Sequence, residues 1–521
     1  MKRIHRTVLV LLLLGVVLGL SACGSKPAAP ASQSTSATPA KPAAPPKGLV
    51  IDLSGDPATL DPGLQYDSIS YGVYRNIFDT LLARDPKSGE IIGRLAKSWQ
   101  SLSPTEWEFS LQTGVKFHNG DPFTAEDVKF SIDRILDKEL KSPQYANFNS
   151  IKEVKVVDPG TVRITTTKPY PVLLAQLVNL GVVPAKYTKE KGSQGLSAAP
   201  VGTGAYKFVE WKKGQDVSLT ANESYWQGKP FYPSVKFRSV PEPSTRVADL
   251  QAGTVDLITS VNPDSVKQIE GDTKLKVLTV GTERVGFLGF NPLGKGPTSK
   301  KEVRQAIAYA INPKALVDAL LGGKADLVSS VLTPLHVGYD ADIKGFSYDP
   351  AKAKELLARA GYNPTSEMIF LTSPAYDQRI VQAIQGQLSE VGINVKIQQI
   401  DHPTFLKKIQ NPDHNWGDIR FGAWSCSCLD ADGVIYPIFR TGSIWSSYSN
   451  PTFDALVDQA RVTMDSAKRK ELYSQASKVL GDDVPGMGLW QMQAIYGARK
   501  GLDWSPTVDE QLQIFDMKES Q

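Results

Sequence analysis

The stretch from Thr105 to Leu136 constrains the fold most, because it passes from strand to turn to helix and signals each change. Trp107, Phe109 and Leu111 alternate with Glu108, Ser110 and Gln112, the period-two pattern of a half-buried strand. A second short strand is expected at Val115-Lys116-Phe117, followed by a turn at Asn119-Gly120, where positive φ is tolerated. Thr124 is placed to cap a helix, with Asp127 as the carboxylate of a capping box and Phe123 and Val128 as a hydrophobic staple. Val128, Ile132, Ile135 and Leu136 then share one helical face. Local physics predicts a hairpin, then a helix.

The same stretch carries a resemblance. Leu95-Ala-Lys-Ser-Trp99, Trp107-Glu-Phe109 and the run from Gly114 to Val128, with Ser131 and Arg134, resemble the signature of the family 5 extracellular solute-binding proteins. These are the dipeptide-, oligopeptide- and nickel-binding components of ABC importers. The resemblance continues through Pro200 to Phe208, Tyr225 to Pro230, Gly286 to Asn291, Val303 to Ile311 and Asn450 to Leu456, and so runs from about Leu49 to Trp504. It implies an α/β fold of the type II periplasmic-binding-protein class, with two lobes on a hinge and an extra domain on the first lobe. The expected division is 49–90 with 199–280 and 490–521 as lobe I, 91–198 as the extra domain, and 281–489 as lobe II.

Residues 1–22 form a targeting segment rather than part of the fold. Lys2, Arg3 and Arg6 precede an apolar run from Val8 to Leu20 that is too short for a comfortable membrane span. Leu20-Ser-Ala-Cys23 reads as a lipobox, so Cys23 is the expected lipidation site and the mature chain is expected on the outer face of the cytoplasmic membrane or in the periplasm. Residues 23–48 are Pro, Ala, Ser, Thr and Lys with almost no large apolar side chain, which predicts a disordered, lipid-anchored linker.

The rest is long enough for two or three cores. Removing Lys2, Arg3 and Arg6 from a formal charge of +4 leaves it almost neutral, so nothing speaks for nucleic acid. Beyond Cys23 only Cys426 and Cys428 remain, too few for a disulfide scaffold.

Helices are expected at 71–82, 245–253, 348–361, 380–391 and through Arg461, Arg469 and Tyr473, with a closing strand near Trp490. Two motifs that imitate nucleotide sites fail on inspection. Gly202-Thr-Gly204 lacks the third glycine of a dinucleotide fingerprint, and Gly289 to Lys295 is followed by Gly296 where a phosphate loop needs Ser or Thr. There is no Gly-x-Ser-x-Gly elbow and no His-Glu-x-x-His pair, so no enzyme is expected.

Ligand identity turns on Trp424-Ser-Cys-Ser-Cys-Leu-Asp-Ala-Asp432. In peptide-binding members of the family, an aspartate in this loop pairs with the ligand's α-amine; Ser427 aligns with it here. In dipeptide binders an arginine before the helix at 380 takes the α-carboxylate; here Leu371 to Asp377 holds none. Asp430 or Asp377 could substitute for the first clamp, and Arg379 or Arg440 for the second. Cys426, Cys428, Asp430 and Asp432 recur every second residue, which raises a soft metal site, a redox pair or packed thiols as readings, with crowding against the metal.

The expected protein is a membrane-tethered receptor, monomeric and without cofactor or metal, that closes on a peptide or peptide-like solute and passes it to a permease and its ATPase. Its candidate ligand-binding residues are Tyr66, Asp67, Ser68, Asn291, Trp424, Ser425, Cys426, Ser427 and Asp430. The alternatives are another solute (an opine, an oligosaccharide or a metal chelate) in the same transport role, or an extracytoplasmic sensor or chaperone.

Overall fold

The computed structural model describes residues 47–64, 67–86 and 88–520. The signal segment, Cys23, nearly all of the linker and Tyr66 lie outside them.

One sheet of eleven strands runs through the molecule. Its spine is a pair of long antiparallel strands, Leu275–Phe290 and Gly486–Arg499, paired from Leu275↔Arg499 to Gly289↔Gly486. On one side of this pair the sheet continues through Leu257–Ile258, Leu49–Leu53, Ser234–Ser239, Asp216–Ala221 and Tyr206–Lys212. On the other it continues through Ile419–Trp424, Glu367–Thr372 and Asn394–Gln399. Separate apolar cores pack on the two wings, one around Ile51, Tyr206, Phe237 and Trp504, the other around Ile307, Phe370, Ile384 and Leu489. The long strands are therefore continuous covalent connections between two packed bodies.

A third core, around Phe109, Val128, Ile132 and Ile164, belongs to a separate four-stranded sheet ordered Ala96–Ser103, Glu106–Leu111, Thr161–Thr166 and Ile151–Asp158. Glu106–Leu111 is a strand as its alternation predicts, but its partners are Ala96–Ser103 and Thr161–Thr166. Val115 to Phe117 pairs only through a single bridge from Lys116 to Pro122, which has no backbone N–H to donate to a ladder. The helix Ala125–Leu136 starts where expected, with Thr124 N–H donating to Asp127 Oδ2 at 2.9 Å.

Two helices differ from expectation. The one opening at Ser68 stops at Tyr74, well short of Leu82. Asn76 Nδ2 donates to Gly72 O at 2.9 Å and to Leu512 O at 2.9 Å, so an amide side chain competes with the backbone and ties this turn to the C-terminal segment. Leu82–Arg84 then forms a small hairpin with Ile91–Gly93. The helix through Arg461 and Tyr473 is two, Pro451–Val462 and Ser466–Asp483, because Asp465 caps the second by accepting from Lys468 N–H at 2.7 Å. Among the described residues no helix is long and apolar enough to cross a membrane.

Candidate functional site

The segment that follows Ile419–Trp424 leaves one wing and lands on the third core. Cys426 and Cys428 are joined by a disulfide, closing a small ring. Gly433 lies directly beneath it, where any Cβ would overlap both sulfurs, and Trp424 Nε1 donates to Gly433 O at 2.8 Å. Leu429 then adopts φ +52°, turning the chain back toward Asp430. Cys428 is buried among residues of the third core. Arg84 Nη2 donates to Cys428 O at 2.8 Å, and Asn179 Nδ2 donates to Ser427 Oγ at 2.7 Å. Asn179 is itself fixed by Arg75, whose Nη2 donates to Asn179 Oδ1 at 2.7 Å. The loop thus bridges the cleft between the lobe carrying it and the opposing domain.

A cavity of about 760 Å³ opens beside this bridge. Arg75, Asp79, Arg84 and Arg94 line one side, Cys428, Asp430 and Arg469 another, and the segment Thr507 to Asp516 a third. Two of its carboxylates, those of Asp79 and Asp430, are already held. Asp79 accepts from Thr203 Oγ1, Tyr225 OH and Trp226 Nε1 at 3.0, 2.9 and 3.0 Å. Asp430 is buried and takes a two-pronged ion pair from Arg469, at 2.5 and 2.6 Å. Its neighbour Asp432 lies 3.2 Å from Arg461 Nε, and burial pushes its carboxyl up to about 6.

Of the expected site residues, the structure gathers Trp424, Cys426, Ser427 and Asp430 into this bridge and leaves Ser425 exposed beside them. Asp67 caps the helix Ser68–Tyr74, accepting from Ile69 and Ser70 N–H at 3.1 and 2.9 Å. Asn291 stands at the far end of its strand, donating to His414 O and Gly417 O at 2.7 and 2.8 Å, so it holds a loop of one lobe and does not reach the cavity. Asp430 cannot supply an amine clamp either, since its charge is spent on Arg469. The other three substitutes are also engaged: Arg379 pairs with Asp377 and with Asp264 across the cleft, and Arg440 with Asp458. In the Cys-x-Cys-x-Asp-x-Asp run both sulfurs are engaged in a disulfide and both aspartates in ion pairs. Among the described residues no group of three or more His, Cys, Asp or Glu is arranged to hold a metal ion.

The sequence predicts a hinge between the lobes but not the irregularity in the strands that join them. The two long strands slip register between Gly281 and Val285, throwing out Thr282, Glu283 and Arg284. Thr282 Oγ1 donates to Met492 O, and Gln491 Nε2 donates to Thr282 O, both at 2.8 Å. Glu283 is buried with Oε2 unpartnered, and burial aided by Glu510 pushes its carboxyl up to about 7. Nothing in the run Gly281-Thr-Glu-Arg284 announces a bulge, because each strand half reads as regular alone.

Comparison with known proteins places this geometry. Residues 90–446 match the family described as bacterial extracellular solute-binding proteins, family 5 Middle. The chain is 30% identical over 467 residues to heme-binding protein A of Haemophilus influenzae, covering 83% of this chain and 84% of that one. It is 31% identical over 455 residues to glutathione-binding protein GsiB of Pectobacterium atrosepticum, covering 84% and 87%. Among solved structures it resembles the ABC transporter-associated periplasmic binding protein DppA of Helicobacter pylori in complex with the peptide STSA, at 28% identity and TM-score 0.78, covering 91% of this chain and 98% of that one.

Proposed function

Because the chain belongs to the family 5 bacterial extracellular solute-binding proteins, we propose that it captures a short peptide or peptide-like solute outside the membrane and hands it to an ABC permease by hinge closure. The observation that carries this reading is the pair of long strands joining two separately cored lobes, with the Cys426–Cys428 loop reaching from one lobe to Arg84 and Asn179 across the cleft. A receptor of this kind needs rigid lobes, a soft connection and contacts made on closing.

In this reading Trp424 walls the solute, and Ser427 replaces a charged clamp with a hydroxyl held by Asn179 and Arg75. The receptor acts as a monomer, binds without transforming its solute, and is held at the membrane through lipidated Cys23. Peptide-like chemistry is favoured by the relatives: one is named for glutathione, and the H. pylori protein carries a tetrapeptide. The test is calorimetric titration of the mature chain with the peptide STSA, glutathione and haem. Saturable binding of either peptide supports the reading, and binding to the native state raises the unfolding temperature in step with it. Binding of haem alone would refute the peptide class and leave the transport role standing.

A further inference from the structure

Arg420, near the start of the strand Ile419–Trp424, is 7% exposed and makes no hydrogen bond or ion pair with any described residue. Every other deeply buried arginine among the described residues is answered: Arg469 by Asp430, Arg246 by four carbonyls, and Arg304 by the carbonyls of Asp483 and Val484 with those of Thr298 and Ser299. What surrounds Arg420 is aromatic. Its guanidinium carbon lies 5.2 Å from the Phe287 ring centre and 5.9 Å from that of Trp416. These contacts offset only part of the cost of taking a cation out of water. Burial lowers the guanidinium to about 10, a displacement that a protein carboxylate would have reversed.

The packing also leaves room. A Cβ on Gly289 would stand 2.9 Å from Arg420 Nε, and one on Gly422 would stand 3.4 Å from Nη1, so glycine at both positions lets the side chain lie along the strand toward Trp424. Beside it is a void of about 10 Å³, bounded by Trp416, Trp445, Ser447 and Tyr448. That is roughly the space of one water-sized probe. Ser447 Oγ accepts from Trp416 Nε1 at 2.8 Å, and Trp445 meets Trp424 edge to face at 5.4 Å. The slot thus combines a largely buried planar cation, a hydroxyl and an indole wall, with no acidic side chain lining it to repel an anion.

We propose that Arg420 centres a binding site for a small monovalent anion. Two sources share this chemistry: a free ion of halide size, which enters if the aromatic walls of the void give slightly, or the carboxylate of a bound solute, which enters if Trp445 swings aside. The second source rests on the peptide reading above; the first does not.

The test uses the mature chain as wild type, R420Q and R420K, unfolded thermally at constant ionic strength while gluconate is replaced by chloride, bromide or acetate. The wild type is expected to gain several degrees along a saturating curve, R420K to keep part of that gain, and R420Q to gain nothing. R420Q in gluconate is expected to melt no lower than the wild type, since it removes a charge that has no partner in the protein; a purely structural arginine would melt markedly lower. Equal responses of wild type and R420Q to every anion, or none from either, would overturn the site. The source is read by adding saturating STSA as free acid or as C-terminal amide. Loss of the chloride response with the acid alone assigns the anion to the solute. Persistence with both assigns it to a free ion, even if neither peptide binds.

Discussion

The loop from Trp424 to Gly433 and the hinge bulge from Gly281 to Val285 both face the junction of the lobes, yet they are built on opposite terms. In the loop the polar groups are largely matched: Asp430 by Arg469, Ser427 by Asn179, the Trp424 indole by Gly433, with a disulfide tying the turn. In the bulge a buried carboxyl has an unpartnered oxygen, and Arg284 stands 3.5 Å from Glu510 with its Nε unpartnered. A receptor that closes and reopens needs this division. The gripping surface gains by being preformed, since ordering it on binding would cost affinity, whereas the connection gains by storing little stability in either position.

The comparison breaks first at Asp430. Replacing it with Ala leaves Arg469 buried without its paired carboxylate, held only by Ala460 O and Tyr473 OH, which costs up to about 3 to 5 kcal/mol. Denaturant unfolding of D430A should show that loss, and D430L/R469L should recover most of it, because the penalty lies in the orphaned charge. If D430A unfolds like the wild type, the loop is not held as its geometry implies.

Glu283 tests the other side. Its folded carboxyl titrates at about 7, above the ordinary value of 4.5, so between those values the folded protein binds more protons than the unfolded chain. Stability from this group is therefore full below pH 4.5 and declines as pH rises through 7. Glu510 and Asp509 push in the same direction and Arg284 opposes them. E283Q should raise the stability of the solute-free protein at pH 8 by about 2 to 3 kcal/mol and leave it unchanged near pH 4.5. His118 has the reverse sign. Burial lowers it to about 4, with Nε2 2.9 Å from Gly204 O, so its contribution is lost as pH falls from 6.5 toward 4, and H118Q should flatten that limb.

Much of the lobe architecture could be read in the chain because its signals are local. The capping box at Thr124, the proline and glycine that bracket Pro350–Arg359, and the alternation of Glu106–Leu111 each act within a few residues. The site was less legible, since its parts meet across long separations. Ser427 and Asn179 are 248 residues apart, and Arg84 and Cys428 are 344 apart. Trp424, Cys426, Ser427 and Asp430 could be grouped in advance because they lie within seven residues of one another. Asn291 was misplaced because a strand end looks alike whichever end of the sheet it faces. Arg420 gave no signal at all: a basic residue in an apolar strand is ordinary until the absence of any acidic neighbour can be seen.

The smaller effects separate rigidity of the loop from closure of the lobes. A disulfide spanning one intervening residue closes a minimal loop, so C426S/C428S should cost no more than about 1.5 kcal/mol in unfolding. Its larger expression should be in binding, as a faster release of solute, because the ring shapes the backbone carbonyl that Arg84 grasps. The smallest expected change is at Arg379, whose Nη1 reaches Asp264 on the other lobe at 3.1 Å while both side chains remain more than half exposed. An exposed pair of this kind contributes about 0.2 to 1 kcal/mol and weakens with salt. R379Q should therefore leave unfolding nearly unchanged and shift the balance between closed and open lobes by less than about fivefold, visible as a small rise in radius of gyration by solution scattering at low salt that disappears at high salt. A large shift would mean that closure depends on this surface latch more than on the Cys426–Cys428 loop, and the contrast between a built grip and a loose hinge would have to be redrawn around Arg379.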